Sequence, residues 1–269
     1  MLVRGDILDA ENLGNLFNKL KPDKIVHLAA KAGVRPSLED PAGYQRVNVE
    51  GLTNILQSAR IAGVNQLVLA SSSSVYGANT KVPFSEEDPV NLPISPYAAS
   101  KRAGELVAGV FHHLYGMHIA CLRFFTVYGP RQRPDMAISK FCRRAMKGEP
   151  IEIFGDGATQ RDYTYIEDII DGVTAVLDRV GGLGFEIINL GNSKTVSLSY
   201  LVETIYKTLE LEPNLIHQPM QPGDVEITYA DVSKAASLLG YRPRTSIEEG
   251  LKKYAEWLRK SPPMIGRIR

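Results

Sequence analysis

An alternation constrains the fold of this chain more than anything else in it. Residues 24–28, 66–70 and 118–124 are short runs rich in Leu, Val and Ile. Between them, residues 47–62 and 96–115 carry helical periodicity. Short apolar runs without polar alternation are what strands buried on both faces look like, so the pattern predicts parallel strands joined by helices. Right-handed crossovers then build a doubly wound sheet. Pro96 stands where a first-turn proline is tolerated and opens the second helix. From Gly129 the character changes. Pro130, Pro134 and Pro150, with Gly148, Gly155 and Gly157, mark turns and short elements. Helices are expected over 166–180, 199–209 and 247–258, with a strand over 185–190. The fold class expected is α/β, a doubly wound parallel sheet with a smaller α+β lobe.

Composition removes several function classes. Lys and Arg number 31 and Asp and Glu 30, so no strong field draws the chain to nucleic acid or an anionic membrane. No apolar run approaches the roughly 18 residues of a membrane span, and no signal peptide is read at the start. Cys121 and Cys142 have no metal-binding spacing and read as free packing residues of a reducing compartment, by default the cytoplasm. No metal site is expected.

The chemistry concentrates in two stretches. Tyr97-Ala98-Ala99-Ser100-Lys101 places a phenol and an ammonium four residues apart on one helix face. The ammonium can draw the phenol's pKa down from about 10. A tyrosinate is a competent base for a sugar hydroxyl, and a nearby Ser can share that proton. Such a Ser is available in Ser71-Ser72-Ser73-Ser74-Val75-Tyr76-Gly77, at the C-terminal end of the second apolar run. Ligands of doubly wound sheets bind at that edge, where residues 125–128 also fall.

These residues together resemble the extended short-chain dehydrogenase/reductases, and among them the NAD-dependent nucleotide-sugar epimerases and dehydratases. The resemblance runs through nearly the whole chain. It implies a Rossmann-type NAD-binding domain over 1–128, to which 166–190 return, and a nucleotide-sugar lobe made mainly of 129–165 and 191–269. By resemblance Ser72, Tyr97 and Lys101 are the catalytic group, with Ser73 and Ser74 in support. Ser73 and Ser74 stand where sugar dehydratases carry an Asp-Glu pair. A hydroxyl cannot do that acid-base work, so the resemblance favours an epimerase. The resemblance assigns cofactor contacts to Asp6 and Ile7, to Leu28, Ala29, Ala30 and Lys31 after the first apolar run, to Asn48 in Asn48-Val49-Glu50-Gly51-Leu52, and to Tyr97 and Lys101. Substrate contacts fall on Arg35, Ser72, Ser73, Thr126, Arg133, Arg161 and Asp224. Thr126 with Arg133 in Arg133-Pro134-Asp135-Met136 is similar to the UDP-glucuronate 4-epimerases, since a guanidinium fork suits a sugar carboxylate. Arg161 resembles the residue gripping the nucleotide diphosphate, and Asp224 the one bonding the uridine ribose.

The resemblance implies C4 inversion of a UDP-sugar, most closely UDP-glucuronate to UDP-galacturonate, through a 4-keto sugar. A UDP-glucose or UDP-N-acetylhexosamine 4-epimerase and a UDP-glucuronate decarboxylase stand beside it. A homodimer through the helices at 47–62 and 96–115 is also implied. One departure matters. The Gly-rich turn that cradles a dinucleotide pyrophosphate, G-x-x-G-x-x-G or G-x-G-x-x-G, is absent from the first half. Met1-Leu2-Val3-Arg4-Gly5-Asp6-Ile7 is similar to the family's third strand, so roughly 50 family residues, about one βαβ unit with its flanks, are expected to be missing. An exposed edge strand is then expected at residues 1–4, and an inactive fragment or binding module is the reading from a different class.

Overall fold

The computed structural model describes residues 1–219 and 226–260. In chain order the elements are α1 (Ala10–Leu20), β1 (Ile25–His27), α2 (Val34–Glu39), α3 (Pro41–Gln45), a π-helical turn (Arg46–Glu50), α4 (Gly51–Ile61), β2 (Gln66–Ser72), a 3₁₀ turn (Ser73–Tyr76), α5 (Pro96–Tyr115) and β3 (His118–Phe124). There follow β4 (Thr126–Tyr128), α6 (Ala137–Met146), β5 (Ile151–Phe154), β6 (Gln160–Tyr165), α7 (Ile166–Leu183), β7 (Phe185–Leu190), β8 (Thr195–Ser197), α8 (Leu198–Leu209), β9 (Leu215–Gln218), α9 (Ser233–Leu239) and α10 (Ile247–Lys260). The chain divides into two compact units.

The first unit comprises Met1–Phe124, Asp171–Leu190 and Asp231–Tyr241. Its sheet has the order β1-β2-β3-β7, and every pairing is parallel. Strand side chains alternate between faces. Leu67 and Leu69 of β2 therefore share a face with Ile119 and Cys121 of β3. That face packs on Leu13 and Phe17 of α1, Leu52, Ile55 and Leu56 of α4, and Ala108 and Phe111 of α5. Helix α5 is sharply bounded. Ser95 Oγ accepts from Ala98 N at 3.1 Å, Pro96 follows, and Gly116 closes the helix in the left-handed conformation. The pattern at 47–62 forms as two pieces, because its first turn widens into the π-helical Arg46–Glu50 before α4 begins. π-bulges of this kind cluster at functional sites.

The strand expected at the amino terminus does not form. Residues 1–6 have no regular structure and are exposed, and among the described residues no strand pairs with them. A lone strand leaves its backbone groups to water and gains no ladder bonds, so extended pairing has nothing to hold it. β1 is the edge strand instead, with Val26 partly exposed. Asp231–Tyr241 also packs with the first unit, against the sequence-based grouping of that segment with the second lobe.

The second unit comprises Phe125–Ile170, Gly191–Ala230 and Arg242–Arg269, as far as it is described. It holds a three-stranded sheet of order β4-β6-β8 and a parallel pair, β5-β9. Its core is amphipathic-helix packing. Leu201, Val202, Ile205, Tyr206 and Leu209 of α8 meet Ile247, Leu251, Tyr254, Ala255 and Leu258 of α10, with Phe141 and Cys142 of α6 against them. Both cysteines are buried, and burial raises both thiol pKa values, that of Cys142 to about 12, so neither is a reactive thiolate. No helix among the described residues is long and apolar enough to cross a membrane.

Candidate active site

In the first unit, the C-terminal end of β2 and the first turns of α5 bring the expected acid-base residues onto adjoining elements. Lys101 reaches across to the strand and donates from Nζ to Ala70 O at 2.8 Å. Its ammonium lies 6.0 Å from the centroid of the Tyr97 ring. Burial lowers the Lys101 pKa to about 8, because a desolvated ammonium is disfavoured. Tyr97 is half-buried, and its ring meets Tyr44 edge-on at 6.2 Å. His27, buried at the end of β1, has its pKa lowered to about 4, chiefly by burial and then by the Lys101 charge, so it is neutral here.

Ser72 ends β2 and caps the turn that follows. Its Oγ accepts from Ser74 N and donates to Ser74 Oγ, both at 3.2 Å. Ser73 and Ser74 are half-buried in that turn, and it contains no carboxylate. The turn closes at Gly77, whose φ of 57° is left-handed and where a Cβ would sit 2.2 Å from Leu92 O. Gly77→Ala combines left-handed strain with a backbone clash and is expected to destabilise by about 2 kcal/mol or more, read as a lowered urea midpoint.

Asn48, on the π-helical turn, is buried and fully engaged. Its Oδ1 accepts from Lys31 N at 2.8 Å, and its Nδ2 donates to Lys31 O and to Ser100 Oγ, both at 2.9 Å. Ser100 in turn donates to Tyr97 O at 2.8 Å. Asn48 therefore ties the loop after β1 to the Tyr97 turn and acts by position. Lys31 itself pairs with Asp40. Leu28 and Ala29 are exposed in the loop beyond β1. Asp6 is exposed and closes a local turn by accepting from Leu8 N at 2.9 Å. Ile7 packs where a Gly51 side chain would be, 2.6 Å from the ideal Cβ, which explains the glycine after Asn48-Val49-Glu50. Arg35 lies exposed on α2.

The second unit carries the other candidates. Thr126 is half-buried on β4, paired with Tyr163. Arg133 holds Asp135 with both arms of its fork, at 3.0 and 2.5 Å, in an exposed setting. Arg161 donates from one arm to Gln160 O at 2.9 Å and Glu226 O at 3.3 Å. Asp224 lies outside the described residues.

Two of the buried carboxylates that residue type alone does not reveal bear on these stretches. Asp162, between Arg161 and Tyr163, accepts from Asn192 N, Ser193 N, Ala230 N and Thr164 Oγ1 at 2.7 to 3.2 Å and binds three segments of the second unit together. Burial pushes its pKa up against those donors. Glu105 pairs with Arg123 of β3. Both are 1% exposed. The legible signal was a charge inside the apolar run His118–Phe124, which has to find a partner.

A sequence profile described as GDP-mannose 4,6 dehydratase matches residues 1–254. The chain belongs to that family. An uncharacterised protein of Methanocaldococcus jannaschii is 47% identical over 264 residues, 97% of this chain and 80% of that protein. A UDP-glucuronate 4-epimerase of Thermodesulfobacterium geofontis is 43% identical over 265 residues, 98% of this chain and 81% of that one. The UDP-glucuronic acid 4-epimerase of Bacillus cereus, solved with UDP-glucuronic acid and NAD, superposes with a TM-score of 0.88 at 34% identity and covers 96% of this chain and 81% of that one. The extended short-chain dehydrogenase/reductase assignment and the Rossmann-type α/β fold hold. The family takes its description from a dehydratase, whereas Ser73 and Ser74 leave this member's turn without the carboxylates the resemblance assigns to dehydratases.

Proposed function

We propose that this chain is an NAD-dependent UDP-sugar 4-epimerase acting on UDP-glucuronate to give UDP-galacturonate. One observation carries the reading. Lys101, beside the Tyr97 ring, is anchored on β2 at Ala70, two residues before Ser72, and the turn that Ser72 caps holds no carboxylate. That set can move one proton at a hydroxyl and cannot supply the acid for water elimination. The named epimerase relatives support the same reading.

Tyr97 takes the 4-hydroxyl proton of the sugar, Ser72 shares it, and Lys101 favours the phenolate. NAD bound beside this group would supply a reversible hydride acceptor for C4 of the sugar. The chain's residues suit the adenosine half of NAD, because exposed Leu28 and Ala29 with half-buried Ala30 offer an apolar ledge after β1 and Asp6 an exposed carboxylate. Asn48 keeps that ledge in register with Tyr97 through Lys31 and Ser100. In the second unit, Thr126 and Arg133 are assigned to the sugar and Arg161 to the nucleotide diphosphate; Arg35 of the first unit and Asp224 keep the substrate roles the resemblance gives them. Exposed ion pairs are worth about 0–1 kcal/mol, so a substrate carboxylate can exchange with Asp135 on Arg133 at little cost.

The test is the chain incubated with NAD and UDP-glucuronate and followed by proton NMR. UDP-galacturonate is the expected product, formed faster than any neutral UDP-hexose is epimerised. Absence of NAD binding by calorimetry from folded protein would instead support the binding-module reading. The 4-keto form of a hexuronate is a β-keto acid that readily loses CO₂. Arg133→Ala is therefore expected to raise the share of decarboxylated product, and an unchanged product ratio removes Arg133 from carboxylate recognition.

The homodimer is also proposed. Leu106, Val110 and Leu114 form an exposed apolar stripe at i, i+4, i+8 on α5, and Ile61 is exposed on α4. Light scattering is expected to give twice the chain mass. Val110→Glu, which sets a charge in the middle of this stripe, is expected to give the monomer.

A further inference from the structure

The residues that hold the proposed acid-base group in place are as specific as the group itself. Ser71 and Arg123 are paired across the β2-β3 ladder, on the face that α5 covers. Both reach one carboxylate. Glu105 stands one helical turn after Lys101 and two after Tyr97 on α5. It accepts from Arg123 Nε at 2.9 Å, Arg123 Nη2 at 3.0 Å, Ser71 Oγ at 2.6 Å and Arg102 Nη1 at 3.0 Å. The Arg123 guanidinium stacks 4.9 Å from the Tyr76 ring centroid, and Tyr76 donates to Asn189 Oδ1 on β7 at 2.7 Å. Tyr76 lies in the same short turn as Ser73 and Ser74. The network thus touches the helix of Tyr97 and Lys101, the strand residue before Ser72, and the far end of the serine turn.

We propose that Glu105, Arg123 and Ser71 are positioning residues that set the Ser72 turn against the Tyr97 helix. Plain stability would be served as well by apolar side chains at a site this deep. Charged, bidentate geometry is stiffer, because a guanidinium fork accepts a carboxylate in few orientations. The Ser71 hydroxyl couples that stiffness to the strand end. Its neighbour Ser72 then leaves the strand at one angle and meets Ser74 by its own hydroxyl. The inference rests on the assignment of Ser72 and Tyr97 given above.

Ser71→Ala tests it, because the change removes the strut and leaves the ion pair intact. Hydrogen exchange by mass spectrometry is expected to quicken at Ser72–Ser74 by about tenfold, roughly what one hydrogen bond is worth, with Leu67–Leu69 unchanged. In the epimerase assay kcat is expected to fall about tenfold with KM constant, and Ser71→Thr, which keeps the hydroxyl, to restore it. Exchange that is unaltered at the turn, or raised evenly along β2, overturns the proposal. So does a rise in KM at constant kcat. An unmodified chain that never epimerises overturns the functional assignment alone, and the exchange result still judges the positioning role.

Discussion

Tyr97→Phe is expected to lower kcat by about 10²–10⁴-fold, the range for loss of a positioned general base, with KM for the UDP-sugar nearly unchanged. The substitution deletes one oxygen. The ring keeps its edge contact with Tyr44 and its place beside Lys101. NMR of the sugar anomeric protons measures the rate, and a variant within about threefold of the unmodified chain would remove Tyr97 from proton transfer. The alkaline side of the pH profile adds a second check. Lys101 favours the phenolate only while charged. Burial brings its pKa down to about 8, so that support is lost as pH rises through this value. The rate should fall above about pH 8 in the unmodified chain, and Lys101→Met should lack this alkaline fall from an already low plateau.

Arg123→Met is expected to destabilise the first unit by about 3 kcal/mol, because it leaves the buried Glu105 carboxylate with only Ser71 and the partly exposed Arg102. Burial opposes that charge, and the hydrogen bonds from Arg123, Ser71 and Arg102 outweigh it and hold its pKa below the ordinary value. A lowered carboxylate pKa stabilises the fold above the unfolded value. That contribution is lost as pH falls through the folded one. The unmodified chain should therefore lose stability in acid. Arg123→Met should flatten that acid loss, since its Glu105 keeps only Ser71 and the partly exposed Arg102 and its pKa rises. Adding Glu105→Leu to Arg123→Met should recover most of the loss. Urea unfolding at two pH values reads all three, and equal stability of single and double variants would show that the pair carries no buried charge penalty.

Much of the first unit was legible because local and global signals agree there. The strands at 118–124 and 185–190 and the helix at 96–115 form with the bounds their periodicity and caps imply. The amino-terminal strand failed for the opposite reason. Residues 1–4 have strand-like composition, but pairing is a property of two strands, and none among the described residues lies beside them. The π-helical turn at Arg46–Glu50 was likewise invisible, since a one-residue widening leaves helical periodicity nearly intact.

Tyr97, Lys101 and the serine turn stand out in the chain as candidates because the chemistry proposed for them lies in residue type and short spacing. The partners of Asn48, Glu105 and Asp162 do not. An Asn, a Glu and an Asp in helical or turn-like surroundings are ordinary surface residues until the fold buries them. Only the tertiary structure puts Asn48 on Lys31 and Ser100, 17 and 52 positions away, Glu105 on Arg123, 18 away, and Asp162 on Ala230, 68 away. Sequence alone determined the alternation of parallel strands and helices in the first unit, the candidate proton-transfer residues and the family. The packed structure decided which polar groups hold them in place, because desolvation makes a buried hydrogen bond obligatory and only three-dimensional contact supplies its partner.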